Sequence, residues 1–193
     1  GGTMQKSCHI VFPFLLGKLA GRWRAHLRST AGIPSDDRAR IYVFNRTCPR
    51  DAVAALSFME PDKTCMLVTQ EEYDADRIFR TVSRQRLITV KGGINTEWLH
   101  SALRRLKDGQ SVLFFPDETR GSDAAAVLLA VMSGAEIVPM YSRAEYVPLR
   151  RRSIVAGKPM LPDGSARLTA DQLRVEYRRL RRALAELAAG NGG

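Results

Sequence analysis

The sequence predicts a single α/β domain with a largely parallel sheet flanked by helices. Short β-rich runs alternate with helical stretches of about ten residues, the pattern of strands joined by crossover helices. The chain has 193 residues, enough for one domain with a substantial core and too few for two such domains. We expect the domain to span residues 4–189. In this fold class, functional residues lie in loops at the carboxyl ends of the strands.

Apolar and β-branched runs mark the strands, and Gly-containing turns such as Asp108-Gly109 separate them from the helices. The predicted strands are 41–44, 64–68, 87–90, 111–115, 137–141 and 153–156. The predicted helices between them are 52–59, 71–82, 96–107 and 123–133.

A basic amphipathic helix is predicted near the start of the chain, at about residues 10–28. Apolar side chains recur there at steps of three and four, with lysine and arginine between them. Its apolar face can pack on the domain's own sheet, or it can lie in a membrane interface with Trp23 near the head groups.

A second basic helix is predicted at about residues 169–189. Thr169 and Gln172 have the spacing of a capping box. Arginines surround a seam of apolar residues at steps of four and three, namely Leu173, Tyr177, Leu180, Leu184 and Leu187. The seam can pack on the core and leave a solvated arginine face, or the helix can serve dimerisation or docking to an anionic membrane.

The charge of the chain predicts anionic partners. Lys and Arg number 30 against 20 Asp and Glu, a formal net charge of +10. Anionic lipid, the phosphates of a pantetheine-type acyl carrier and nucleic acid would all respond to this field. Nucleic acid is the least favoured of these, because the aromatic residues form no stacking motif.

Cysteine usage favours a reducing compartment. The three cysteines are odd in number and show no metal-binding spacing, so we predict neither a disulfide framework nor a metal or other cofactor. The longest nearly apolar run, 10–16, is far shorter than the roughly 20 residues that a membrane-spanning helix needs. We therefore expect a cytoplasmic protein, either free or peripheral on the membrane surface.

Two polar segments follow predicted strands. Asn45-Arg46-Thr47-Cys48-Pro49-Arg50-Asp51 follows the strand 41–44, and Phe115-Pro116-Asp117-Glu118-Thr119-Arg120 ends the strand 111–115. Together they resemble the paired motifs of the glycerolipid (lysophosphatidate-type) acyltransferase family, which read Asn-His-x4-Asp and Phe-Pro-Glu-Gly-Thr-Arg. The resemblance covers about residues 40–160, where 87–91 and 137–139 are also similar to strands of that family.

The resemblance implies that family's fold and its reaction, the transfer of an acyl group from a coenzyme A or carrier-protein thioester to a lipid hydroxyl. The family's histidine is the general base of that reaction, and its aspartate orients the histidine. Here Asp51 keeps the family's spacing, but Arg46 occupies the histidine position. Arginine has only donors and stays protonated in proteins, so Arg46 cannot act as a base.

Three interpretations of the altered first motif are open. Arg46 can pair with Asp51 in a salt bridge. Arg46 and Arg120 can together hold a phosphate or carboxylate. Finally, Cys48 or Asp51 can carry substitute chemistry, with Cys48 attacking the thioester as a nucleophile. Asp51 also suits a purely structural role, as the N-cap of the helix that follows it.

The resemblance implies roles for the remaining motif residues. Asn45 and Asp51 would shape the first loop, Arg120 and Lys91 would bind the acceptor's phosphate, and Thr119 would support the turn. Asp117 and Glu118 replace the family's Glu and Gly, and we include both among the candidate substrate-binding residues. Glycine in the second of these positions would permit closer backbone approach than Glu118 does.

The sequence leaves open whether the protein is an enzyme. His9, His26 and His100 lie outside both motifs, where surface or core roles are expected for them. The principal prediction is an acyltransferase-fold protein, either active or degenerate for acyl transfer. The alternative is a non-catalytic module that binds lipid or acyl thioester and serves a partner enzyme or assembles with a second copy.

Overall fold

The computed structural model of the chain describes residues 27–45, 52, 55–56, 59, 62–91, 96–115, 122–144, 152–163 and 169–190. The strands in this part of the chain are β1 (Leu27–Ala31), β2 (Ile41–Phe44), β3 (Thr64–Thr69), β4 (Leu87–Val90), β5 (Ser111–Phe114), β6 (Ile137–Ala144) and β7 (Arg152–Ala156). The α-helices whose bounds lie within the described residues are α1 (Gln70–Ala75), α2 (Glu97–Lys107), α3 (Ser122–Ser133) and α4 (Ala170–Ala189). Two 3₁₀-helices, Arg77–Thr81 and Arg84–Arg86, precede β4.

The described strands form one seven-stranded sheet in the order β1-β7-β6-β2-β5-β3-β4. Strands β6, β2, β5, β3 and β4 run parallel to one another. Strand β7 is antiparallel to β6, and β1 is parallel to β7. The predicted fold class, an α/β domain with a largely parallel sheet, is therefore confirmed.

Helical layers cover both faces of the sheet. Successive side chains of a strand point to opposite faces, and in β2 Ile41 and Val43 join one core cluster while Tyr42 and Phe44 join the other. The first cluster includes buried residues of α2, α3 and α4. The second includes the helical residues Ala52, Ala55 and Leu56 and the 3₁₀ residue Phe79. Because both faces are covered, all four residues of β2 are buried.

The prediction of one continuous helix over 71–82 was wrong, because the chain changes direction at Asp76. Helix α1 ends at Ala75, and Asp76 has extended backbone angles, with φ −118° and ψ 116°. The Asp76 carboxylate accepts a hydrogen bond of 2.9 Å from the backbone N–H of Ile78. Aspartate competes for backbone donors in this way and so begins a new element. The 3₁₀-helix that follows carries Phe79 into the core.

The start of the described chain also differs from the prediction. The sequence assigned Leu27 and Arg28 to the end of the first basic helix, but both belong to β1, a strand that was not predicted. The rest of that predicted helix lies outside the described residues. Strand β1 exists because it pairs with β7, where Leu27 lies opposite Arg152. Local periodicity does not reveal such a distant partner.

The last helix agrees with its prediction. The Thr169 side chain accepts a hydrogen bond from the backbone N–H of Gln172, whose side chain in turn accepts from the backbone N–H of Thr169, so the capping box is present. Within the apolar seam, Leu180 and Leu187 are buried, and Leu173 and Leu184 pack against the first core cluster. Helix α4 contacts α3 and β6. The seam therefore faces the core of the same chain.

A buried arginine stabilises the amino end of β2. The Arg40 side chain is 4% exposed. Its guanidinium donates to both carboxylate oxygens of Asp36, and its Nε donates to Glu136 Oε2 at 2.9 Å. The hydrogen bond from Arg40 lowers the pKa of Asp36 to about 2, and the Asp36 carboxylate raises the pKa of Arg40. The network connects β2 to the turn before β6.

Candidate functional site at the carboxyl edge of the sheet

Five parallel strands end at one edge of the sheet, and the residues that follow four of them define the candidate site. Asn45 follows β2, Phe115 follows β5, Gln70 follows β3 and Lys91 follows β4. Strand order places β2 beside β5, then β3, then β4. The sequence motifs therefore emerge where ligands bind in open parallel sheets.

Asn45 is held by the neighbouring strand β6. Its side-chain Oδ1 accepts a hydrogen bond of 2.7 Å from the backbone N–H of Ser142, and its backbone N–H donates to the carbonyl oxygen of Met140 at 3.2 Å. Asn45 is half-buried, and Ser142 is buried. These bonds fix the position of Asn45 at the end of β2, and its role in shaping the first loop stays a prediction.

The two motif segments leave the sheet side by side. Val43 lies opposite Phe114 in the ladder between β2 and β5, so Asn45 and Phe115 each lie just beyond the paired region. The rings of Phe44 and Phe115 make an edge-to-face contact, with centroids 5.8 Å apart and planes at 78°. This geometry is favourable for aromatic pairs. Two segments separated by about 70 residues in sequence therefore begin next to each other in space.

Most of the remaining predicted site residues lie outside the described residues, and their roles stay predictions. They are Arg46, Cys48, Asp51, Asp117, Glu118, Thr119 and Arg120. Of their two segments, the structure describes the residues at which each segment leaves the sheet, Asn45 and Phe115.

Lys91 lies farther from Asn45 than the other residues that follow the parallel strands. It is exposed and follows β4, and two strands, β5 and β3, separate β4 from β2. With about 4.8 Å between adjacent strands, the backbone of Lys91 lies about 10 Å from β5 and about 14 Å from β2. The structure does not place Lys91 beside Asn45, so its proposed contact with the acceptor's phosphate requires its side chain to reach inward over the edge.

His100 is the histidine that the described ranges contain, and it is remote from Asn45. It is exposed on α2 and lines a groove of about 520 Å³ along β4, together with Thr89 and Arg104. Because β4 is the strand farthest from β2 on this side of the sheet, His100 lies far from Asn45. Among the described residues, no imidazole lies beside Asn45.

An aromatic contact that was not predicted lies near the same edge. Trp98, in the first turn of α2, contacts Phe114 with ring centroids 6.4 Å apart. The two aromatic pairs lie on opposite faces of the sheet, because Phe114 belongs to the first core cluster and Phe44 to the second. An aromatic residue in the first turn of a helix that follows a parallel strand is the signal that would have indicated this contact.

A capping box closes the carboxyl end of β3. Thr69 Oγ1 accepts a hydrogen bond of 3.1 Å from the backbone N–H of Glu72, and Glu72 Oε2 accepts one of 3.0 Å from the backbone N–H of Thr69. The Thr-x-x-Glu spacing in the sequence indicates such a box, although none was predicted here. These polar groups are mutually satisfied, so we assign them to the scaffold.

The groups at the opposite edge of the sheet also belong to the scaffold. A groove of about 160 Å³ lies there, beside the amino ends of β2, β3 and β5. Its charged residues are paired, Asp36 with Arg40 and Asp37 with Lys63, the latter at 2.8 Å. Nearby Cys65 is buried, and burial raises the pKa of its thiol to about 11. A thiol of this kind is a poor nucleophile.

Neither a metal cluster nor a membrane-spanning helix occurs in the described ranges. No group of three or more His, Cys, Asp or Glu side chains there is arranged to hold a metal ion. None of the helices described there combines the length and apolar character needed to cross a membrane.

The sheet order, the helical layers and the convergence of the two segments define a glycerolipid acyltransferase-like fold. The chain is similar to the crystal structure of the 1-acyl-sn-glycerophosphate (LPA) acyltransferase PlsC from Thermotoga maritima, with a TM-score of 0.59. The two sequences are 17% identical, and the match covers 96% of this chain and 85% of that one. At this identity the similarity establishes the fold. No protein-family model and no curated protein matches the chain.

Proposed function

We propose that the protein binds an acyl thioester and a phospholipid-type hydroxyl acceptor at the carboxyl edge of its sheet and transfers the acyl group between them. The observation that carries this proposal is the convergence of the two motif segments, supported by the contact between Phe44 and Phe115. The hydrogen bond from Ser142 to Asn45 supports a fixed starting point for the first segment.

The transfer would proceed without the family's general base. The acceptor oxygen attacks the thioester carbonyl carbon and loses its hydroxyl proton to solvent water, the carbon–sulfur bond breaks, and the departing thiolate takes up a proton from solvent. Histidine would accept the hydroxyl proton in that step, but Arg46 cannot. Loss of a general base costs about 10² to 10⁴ in rate. We therefore propose slow turnover, with Arg46 and Arg120 as an electrostatic clamp on a phosphate or carboxylate.

A non-catalytic function is the second candidate, and Arg46 is the observation that favours it. The protein would then keep the binding groove and serve a partner enzyme.

The proposed partners follow from charge and chemistry. The donor would be an acyl-coenzyme A or an acyl carrier protein, both of which carry phosphates that a chain of net charge +10 attracts. The acceptor would be an anionic lipid, reached by peripheral contact with the membrane.

The test is thiol release from a panel of acyl thioesters in the presence of lysophosphatidate-type acceptors and anionic liposomes. Wild type is compared with Asp51→Ala and with Asp37→Ala, which removes an exposed carboxylate at the opposite edge of the sheet. We expect slow, acceptor-dependent release that Asp51→Ala abolishes and Asp37→Ala preserves. Binding of thioester or lipid without release would favour the non-catalytic candidate. Absence of both binding and release would overturn both candidates.

A further inference from the structure

The outer surface of the helical layer formed by α2, α3 and α4 has an unusual composition. Helix α3 contacts both α2 and α4, so it is the middle helix of the layer. We define the helix-layer face by six exposed residues: Arg104 of α2, Leu128 and Met132 of α3, and Val175, Arg178 and Arg182 of α4.

Helix α3 is apolar on both of its sides. Its buried side consists of Ala126, Val127, Leu129 and Ala130, which join the first core cluster. On its outer side Leu128 is 36% exposed and Met132 is 52% exposed, and the two lie one turn apart. A helix that is apolar all round is normally buried on all sides. The outer side of α3 therefore indicates a surface that becomes covered in the functional state.

The helices on either side of α3 are basic at the same surface. Arg104, Arg178 and Arg182 are exposed, and none of them has an acidic partner among the described residues. Acidic residues are also present: Glu97 and Asp171 lie in the first turns of α2 and α4, and Glu186 lies near the end of α4. Asp171 pairs with Arg174 at 3.5 Å, while the buried Glu176 pairs with Arg179 at 3.4 Å. The three arginines without a described acidic partner flank an apolar ridge, which consists of Leu128, Met132 and Val175.

We propose that the helix-layer face docks on an anionic lipid bilayer. Arginine guanidinium groups would contact lipid phosphates, and Met132, Leu128 and Val175 would enter the boundary between head groups and acyl chains. A second copy of the chain is a poorer occupant, because two basic faces repel each other. Nucleic acid is also poorer, because it would place phosphates against the apolar ridge. The proposal rests on the proposed function only in that a lipid acceptor gives membrane docking a purpose.

The experiment measures binding of the whole chain to vesicles without any acyl donor. The vesicles contain phosphatidylcholine alone or with about one third phosphatidylglycerol. The test variant is Arg104→Gln/Arg178→Gln/Arg182→Gln. The control, Arg77→Gln/Arg80→Gln/Arg84→Gln, removes the same charge from exposed positions in the opposite layer. A third variant, Met132→Gln/Val175→Gln, removes the apolar contribution.

We expect wild type to bind only the anionic vesicles. Each cation near such a surface contributes about fivefold to the partition constant, so the test variant should bind on the order of 100-fold more weakly. The control variant should lose far less of its affinity for the anionic vesicles. The third variant should bind them severalfold more weakly than wild type.

Three outcomes would overturn the proposal. Equal losses in test and control variants would mean that net charge alone attracts the membrane. Absence of wild-type binding would mean that the face does not dock. A concentration-dependent dimer that Met132→Gln/Val175→Gln dissociates would identify a second copy as the occupant. Because no thioester is present, failure of acyl transfer and failure of docking are observed separately.

Discussion

The Oδ1 atom of Asn45 lies 2.7 Å from the backbone nitrogen of Ser142 and accepts its hydrogen bond. The bond joins the first residue after β2 to the neighbouring strand β6. It thereby anchors the start of the first motif segment, and its removal tests how far the site depends on it.

Asn45→Ala should lower the free energy of unfolding by about 1–2 kcal/mol, because the buried Ser142 N–H loses its acceptor. Urea unfolding measures this change. Asn45→Asp keeps an oxygen acceptor, so its free energy of unfolding should fall by less. Equal losses in the two variants would show that the hydrogen bond is not the stabilising contribution.

Arg46→His should increase acyl transfer by at least about tenfold, because it restores a side chain that can accept the hydroxyl proton near neutral pH. The measurement is acceptor-dependent thiol release. Arg50→His, in the same segment, is the matched control and should give no gain. Failure of Arg46→His would indicate that Glu118 or a remodelled pocket also prevents the reaction.

Arg40→Met should make stability less dependent on pH in the acid range. The pKa of Asp36 is lowered from 3.8 to about 2 by the hydrogen bond from Arg40. The carboxylate is ionised in the folded state at pH values where the unfolded chain is protonated. Its contribution is therefore fully present above about pH 4 and is lost as the pH falls through about 2.

Urea midpoints between pH 5 and 2 provide the measurement for the Arg40 prediction. The wild-type midpoint should fall more steeply than that of Arg40→Met. Arg38→Met, which removes a neighbouring exposed arginine, should behave more like wild type. Parallel curves for wild type and Arg40→Met would contradict the prediction.

Cys65 should resist alkylation in the folded protein. Its pKa is raised from 9.0 to about 11 by burial, which lowers the thiolate fraction near neutral pH by about 100-fold. In a Cys8→Ser/Cys48→Ser background, iodoacetamide should modify Cys65 at least about 100-fold more slowly in buffer than in urea. Comparable rates would show that Cys65 is accessible.

Gly32 and Gly109 offer a matched test of close packing. Their φ angles are +76° and +80°, so an alanine at either position costs about 1 kcal/mol of backbone strain. At Gly32 an added Cβ would also lie 2.5 Å from the carbonyl oxygen of Ala156, whereas at Gly109 it would meet nothing within 4 Å. Gly32→Ala should therefore lose a further ~1–3 kcal/mol of unfolding free energy. Equal costs in thermal or urea unfolding would mean that β1 moves to make room.

The sequence was informative wherever the determinants were local. The run Ile41–Phe44 is a strand because its apolar residues are buried on both faces, and α4 begins where Thr169 and Gln172 form their capping box. The placement of Asn45 and Phe115, the first residues of the two motif segments, at one edge of the sheet followed from the alternation of strands and helices.

Distant partners account for what the sequence did not reveal. Strand β1 requires β7, and the side chain of Arg40 is held by Glu136, 96 residues farther along the chain. The contact between Trp98 and Phe114 likewise depends on how α2 packs after the sheet has formed. In none of these cases does the local pattern contain the partner that determines the structure.

The central position of β2 has a consequence for biosynthesis. Ile41 pairs with Val112 on one side and with Ile137 on the other, so a ribosome must release both later strands before β2 has its neighbours. Until then the nascent chain presents a short apolar strand with two unpaired edges. The chain between β2 and each of these later strands forms a long loop. This loop must close before the pairing energy is gained, which slows folding. Chaperone binding to this segment during translation would protect the chain from aggregation.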